Sequence, residues 1–290
     1  MRKWALFLTL YFCACLLAGC AAGNNSTAPD PPSDPGGSPV SGETAELTDH
    51  GPWFVTARIV SGELPGTLLL AEHGTEASSV YTLSSESLTF EPKWDGSLRG
   101  GQLINVYYDS FTEGWPMNFD CVTAIELLEY GFDDRCALYL QVLEDLWEKD
   151  SGLNGGVEVM GVDLSQTSLN PAERSAVAWA FAEHHGAALL EEPLGSLMEN
   201  GTITAHPLTG SGSGSDLTEP KHYFYEWENG LHFSITEQEM EGVYHGLAPV
   251  TFTAQKWRSS LGAYWFSNCT ATRNALGEWS DYTIGAEMIS

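Results

Sequence analysis

The sequence predicts an α+β protein: a small closed or partly closed β-barrel followed by an α+β domain in which helices pack on an antiparallel sheet. Three observations carry this. Apolar side chains recur at every second position in short stretches between residues 53 and 127, the spacing of half-buried strands. From 136 to 185 they recur at three and four positions, the spacing of amphipathic helices. After 222 the period returns to two, now with many aromatic rings. With 290 residues, 43% hydrophobic and only 18% charged, the chain has enough apolar side chain for a core, and disorder throughout is excluded.

Residues 1–19 read as a signal peptide. Arg2 and Lys3 precede an almost uncharged stretch from Trp4 to Gly19, which is short for a bilayer span of about 20 residues. The polar segment that follows lacks a cationic stop-transfer flank. The stretch ends in Leu17-Ala18-Gly19-Cys20, which resembles the bacterial lipobox. That resemblance implies cleavage before Cys20, a diacylglyceryl group on its sulfur, and a lipoprotein held by membrane lipid on the extracytoplasmic face of the cell membrane. Two acyl chains make such attachment stable. In residues 20–49, Pro29, Pro31, Pro32, Pro35 and Pro39 stand among Gly, Ser, Thr and Asp with hardly a large apolar side chain. Such a segment does not recover the entropy of ordering itself and is expected to be a tether.

Residues 50–131 form the expected barrel. Val55, Ala57 and Ile59 fall on one side of a strand and Thr56 and Arg58 on the other. Further strands are expected at Thr67–Ala71, Val80–Leu83 and Leu103–Tyr108, separated by turn-rich pieces such as 63–66 and 94–101. Closure hides edges that would otherwise pair with neighbours. The stretch 120–130 fits both periods, because Cys121, Ile125 and Leu128 align on a helix and Cys121, Thr123, Ile125 and Leu127 on a strand. Here Ile104-Asn105-Val106-Tyr107-Tyr108-Asp109-Ser110, followed by Glu113-Gly114-Trp115-Pro116, is similar to a strand and Glu-x-x-Pro segment in OB-like barrel domains of Gram-positive lipoproteins. The resemblance spans roughly residues 53–128. It implies an OB-like barrel with a strand at 121–127 and no shared catalytic residue.

Residues 132–290 form the expected α+β domain. Cys136, Tyr139, Leu140, Leu143, Leu146 and Trp147 mark a helix ending near Ser151-Gly152, and Val157–Leu164 reads as a strand. Asn170-Pro171-Ala172-Glu173 combines a capping residue, Pro at the first helical position and Glu at N3. The helix it opens should reach His185, bury Ala176, Val177, Ala180, Phe181 and His184, and stop at Gly186. A short helix is expected at 193–199 and a flexible loop at 208–215. Tyr223–Trp227, Asn229-Gly230 and Leu231–Ile235 give the strongest hairpin signal. Val250–Ala254, Leu261–Thr270 and Tyr282–Ile289 complete the sheet, whose aromatic face should pack on the helices.

The charge narrows function. The 39 acids against 12 bases give −27, and loss of Arg2 and Lys3 takes the mature chain to −29. Nucleic acid is excluded as a partner, because binding it needs a cationic surface. After processing, Cys121, Cys136 and Cys269 remain, enough for one bridge at most and consistent with buried unpaired thiols. No phosphate-binding, dinucleotide, zinc-protease or nucleophile-elbow motif is present, so no cofactor and no catalytic residue is expected. His184-His185, on the helix before Gly186, is a poor metal pair, since adjacent helical residues point about 100° apart, and the expected role is an imidazolium favoured at a helix C-terminus. Asp150-Ser151-Gly152-Leu153-Asn154-Gly155 lacks the ligands of a calcium loop, with Gly152 at position three and Gly161 at position twelve. Glu191-Glu192, Asp133-Asp134 and Glu237, Glu239 and Glu241 offer carboxylates for an alternative function, a carboxylate-dependent extracytoplasmic hydrolase, although so many acids make close pairs commonplace.

The most distinctive segment is residues 255–266, which places Lys256 and Arg258 beside Trp257, Tyr264 and Trp265. It resembles a C-terminal stretch of uncharacterised exported proteins of gut Clostridia, which implies habitat and no mechanism. Alternation puts Trp265 opposite Tyr264 and Phe266, leaving either a core strand or an aromatic groove for a sugar-like or anionic partner. The functional expectation is a non-enzymatic lipoprotein that binds or scaffolds at the envelope, its partner a cell-envelope polymer or protein.

Overall fold

A computed structural model of the chain describes residues 53–91, 98–208, 222–238, 249–274, 276–279 and 281–290, all within one compact unit, Thr48–Ser290. The expected signal peptide, Cys20, the tether, and residues 209–215 of the expected loop lie outside the described residues.

Strands β1 (Trp53–Gly62), β2 (Thr67–Glu72), β3 (Val80–Ser84), β4 (Leu103–Thr112) and β5 (Met117–Leu127) close a barrel in the order β1-β2-β3-β5-β4. Only the β3–β5 pair is parallel, and the arrangement is OB-like. The ambiguous 121–127 stretch is strand, with Ile125 opposite Val106. Val55, Ala57 and Ile59 point inward with Leu68, Leu70, Leu83, Ile104, Val106 and Phe119, so the period-two reading places the interior correctly. The outer side is also buried: Arg58, Val60, Leu69, Ala71 and Val80 lie under helices. Strands 2 and 3 form the usual ligand face of this fold, and here that face meets the chain's own helix at Pro171–His184.

Helix α1 (Arg135–Glu148) buries Leu138, Tyr139, Val142, Leu143 and Leu146, and α2 (Pro171–His184) buries Ala176, Val177, Ala178, Phe181 and Ala182. The capping box at α2 forms as its sequence indicates, with Asn170 Oδ1 accepting from Glu173 N–H at 2.8 Å and Glu173 Oε2 accepting from Asn170 N–H at 3.0 Å. Gly186, at φ +66°, ends the helix. His184 is exposed rather than buried, because Phe181 and Ala182 carry the buried side of the last turn and the His184 ring turns outward to Glu144. The other oxygen of Glu173 pairs with Arg58 at 2.6 Å, and Arg58 Nη1 donates to the carbonyls of Gly101 at 2.9 Å and Gly131 at 2.7 Å. One carboxylate thus caps a helix and neutralises a buried cation of the barrel, a pair whose breakage exposes an unpaired charge to low dielectric.

The second sheet has nine strands. Its path is β13 (Tyr282–Thr283), β12 (Gly262–Ala271), β11 (Val250–Ser259), β10 (Gly230–Glu237), β6 (Val159–Gln166) and β7 (Ala188–Leu190). Strand β14 (Ala286–Ile289) adds to β12, and β8 (Thr204–Pro207) pairs β9 (Tyr223–Glu226). The sheet is mixed rather than wholly antiparallel: β6 runs parallel to both β10 and β7, with α2 the crossover between β6 and β7. One face sends Leu231, Phe233, Ile235, Phe252 and Phe266 onto α1 and α2, as its aromatic content suggested. On the other face, the short helix α3 (Leu194–Glu199) packs through Leu197 on Trp227 and Trp257.

The expected 223–235 hairpin does not exist. Strand β9 pairs β8 and touches β11, whereas β10 has both edges filled by β6 and β11. Neither Asn229 nor Gly230 has positive φ. A Cβ on Gly230 would stand 2.1 Å from the Trp227 ring, so glycine is required for packing and not for a turn.

Candidate functional site

The 255–266 segment is withdrawn from solvent. Lys256 is 0% and Trp257 6% exposed. Lys256 points toward the helices and donates from Nζ to the carbonyls of Lys149 at 2.7 Å, Trp147 at 3.1 Å and Asp150 at 3.4 Å, supplying donors to the C-terminal end of α1. Burial pulls its pKa down to about 8, against the raising influence of Asp150 and Glu148. Trp257 faces the other way, into the cluster of Leu197, Ile203 and Trp227. Arg258 binds the carbonyls of Leu153, Gly155 and Glu228. The Tyr264 hydroxyl bonds Glu287, which also pairs Lys149 at 2.9 Å. Trp265 is half-buried beside Trp257 and opposite Tyr264 and Phe266, as alternation requires. The five residues therefore divide between two faces of a sheet and do not form one open basic and aromatic patch.

The carboxylates singled out by sequence are held by separate partners. Asp133 binds Arg135, Asp134 accepts from Trp279 N–H, Glu191 from Ser175, Glu192 from Asn200, and Glu237 from Tyr139 and Ser168. Burial alone would raise the Asp133 pKa, yet the hydrogen bond and charge of Arg135 leave it lowered. Glu239 and Glu241 lie outside the described residues. A groove of about 210 Å³ lies between α2 and β6, where Asp163, Ser165, Arg174, Ser175 and Glu191 line it. Its polar groups are engaged with one another: Asp163 Oδ1 accepts from Ser165 N–H at 2.9 Å, and Arg174 donates to Ser165 O at 3.3 Å. The volume is below the roughly 300 Å³ at which small-molecule pockets begin. Cys121, Cys136 and Cys269 are all free, and burial holds the Cys136 thiol well above its ordinary pKa.

Exposed aromatic surface lies instead on the barrel. Trp53 is 63% exposed, Phe54 61%, Phe111 40% and Trp115 52%. Trp53 opposite Tyr108 continues the inward-facing rows of β1 and β4 past the filled interior. A chain of rings leads outward from there, Tyr81 to Phe119 at 4.9 Å, Phe119 to Tyr108 at 5.0 Å, and Tyr108 to Phe111 at 5.9 Å. Phe54 lies 5.5 Å from Tyr107 on the outer side of the same strand pair. Trp115 sits in the β4–β5 connection. The chain from Tyr81 to Phe111 thus starts in core and ends at an exposed ring. In sequence the exposed rings, with Tyr107 and Tyr108, fall into two separated groups, Trp53-Phe54 and Tyr107 to Trp115, and the register of β1 on β4, which places residue 53 opposite residue 108, brings the groups together.

A polar cluster appears where none was expected. His184 Nδ1 lies 2.8 Å from one oxygen of Glu144, and His185 Nε2 lies 2.9 Å from the other. The two rings turn to the same side because His185 is already the helix cap, at φ −94° and ψ 3°. The angular argument for a regular helix fails at that position. His185 stacks on Trp147 at 4.0 Å and meets the edge of Phe181 at 5.0 Å.

Compared with protein-family models, curated proteins and solved structures, the chain matches none.

Proposed function

We propose that the chain is a membrane-tethered extracytoplasmic lipoprotein that binds a glycan of the cell envelope through the aromatic end of its barrel. The observation that carries this reading is the exposure of Trp53, Phe54, Phe111 and Trp115 around one strand pair and its hairpin, in a barrel whose β2–β3 face is covered. Flat rings with fixed bases stack on the apolar faces of sugars at small entropic cost. A chain with −27 net charge repels polyanions, which favours an uncharged sugar face over a nucleic acid or an anionic polymer. Leu17-Ala18-Gly19-Cys20 and the Pro-rich tether would hold the barrel near such a polymer, Trp53 standing a short distance after the tether.

Two measurements test the two halves. Radiolabelled fatty acid should be incorporated by the wild-type chain in a bacterial host and not by Cys20→Ser; equal labelling removes the lipid anchor. The mature chain should be retained on isolated, protein-free cell-wall glycan, and Trp53→Ala with Trp115→Ala should reduce retention several-fold. Undiminished retention by that folded double variant removes the aromatic end from the proposal.

A further inference from the structure

We propose that Glu144, His184 and His185 form a binding site for a divalent transition-metal ion of the zinc type. One carboxylate oxygen from α1 and one ring nitrogen from each histidine at the end of α2 all lie within 4.8 Å of one another. The donor set of two imidazoles and one carboxylate matches open zinc sites, and borderline ions of this kind prefer it over Mg²⁺ or Ca²⁺, which take oxygen ligands.

The geometry is built from packing on both helices. His185 is fixed by the face of Trp147 and the edge of Phe181, and only 12% of its side chain is exposed, so its Nε2 is presented without further loss of rotamer freedom. Glu144 is held on the neighbouring helix, its two oxygens directed at the two rings. His184, stacked at 4.8 Å on His185, is 69% exposed. It is the ligand with room to move, and its side chain would adjust to bring three donors to the ~2.0–2.2 Å bonds of zinc. An ion would replace the hydrogens now shared between each ring and the carboxylate. The solvent side next to His184 leaves a further coordination position for water or an external donor. The strongly acidic surface raises the local concentration of divalent cations. An ordinary ion pair between imidazolium and carboxylate at a helix C-terminus is the competing account. It needs no ion, so added Zn²⁺ separates the two accounts.

The test uses the full mature chain without a histidine tag. Isothermal titration with Zn²⁺ at a pH above the histidine range should show one equivalent bound, and Co²⁺ should give visible d–d absorption. His184→Ala and Glu144→Gln should each weaken Zn²⁺ binding at least tenfold and abolish the Co²⁺ bands, while His73→Ala, at an exposed site elsewhere, should leave both unchanged. His184 is exposed, so its variant keeps the fold, which circular dichroism checks. No heat of Zn²⁺ binding, or equal binding by wild type, His184→Ala and Glu144→Gln, overturns the proposal.

Discussion

Trp257 on β11 and Trp115 at the tip of the β4–β5 hairpin are the same side chain in opposite surroundings, 6% and 52% exposed. Around Trp257 the sequence crowds bases and rings into a dozen residues, yet the sheet parts them. Lys256 is sent to one face, where it serves the end of α1, and Trp257 to the other, where it fills a cluster under α3. Around Trp115 the sequence offers Tyr107, Tyr108 and Phe111 with no base among them. The closing of β1 on β4 gathers Trp53, Tyr108 and Phe111 from distant positions. Density along a chain is therefore a poor guide to a binding face when the strands carrying it are central, since a central strand has neighbours on both edges and layers on both sides.

The largest expected contrast is between the two tryptophans. Trp257→Ala should destabilise the fold by about 3–5 kcal/mol, the cost of emptying a buried aromatic site, and Trp115→Ala should stay within about 0.5 kcal/mol of wild type. Urea midpoints measure both, and similar losses at the two sites would erase the distinction. Next comes Lys256→Met, expected to cost about 1–3 kcal/mol because buried carbonyls lose their donor. This cost should depend on pH. With its folded-state pKa lowered from 10.5 to about 8, the folded chain releases this proton first. Between those values the unfolded chain binds more protons, and stability from this group rises with pH. The gap between wild type and Lys256→Met should widen as pH rises from about 8 towards 10; a gap that stays constant would place the ammonium in water. The smallest effect on stability is expected from Trp53→Ala, whose ring is 63% exposed. Its thermal midpoint should be nearly unchanged, and a large drop would make this ring core and not contact surface.

Local chemistry made much of the fold legible. The capping box of α2 is written within four residues, because its bonds join Asn170 and Glu173. The barrel interior follows from alternation in β1, where Val55, Ala57 and Ile59 are buried as a row. Arg58 shows the limit of the same rule. Alternation assigns it correctly to the outer side of β1, yet only the packing of α2, with Glu173 already fixed by the cap, makes that side interior. The Asn229-Gly230 signal failed for a related reason: the missing Cβ makes room for Trp227, a requirement invisible in turn statistics. The candidate sites were less legible than the elements. The His184-His185 pair was dismissed on regular helical angles, and the cap that brings both rings to Glu144 depends on where α2 ends and which helix lies beside it.

By itself the sequence determined the order and type of most elements and the strongly acidic charge, and it carries the Leu17-Ala18-Gly19-Cys20 pattern from which the tether is proposed. These follow from period, composition and short motifs, whose physics acts within a few residues. The tertiary structure decided which strands pair, that β6 joins the sheet in parallel, that the second side of β1 to β3 is covered, and that Lys256 lies inside while Trp115 lies outside. Burial and pairing are relations between segments far apart in the chain, and no local pattern of apolar and polar residues encodes which layer will arrive to cover a given face.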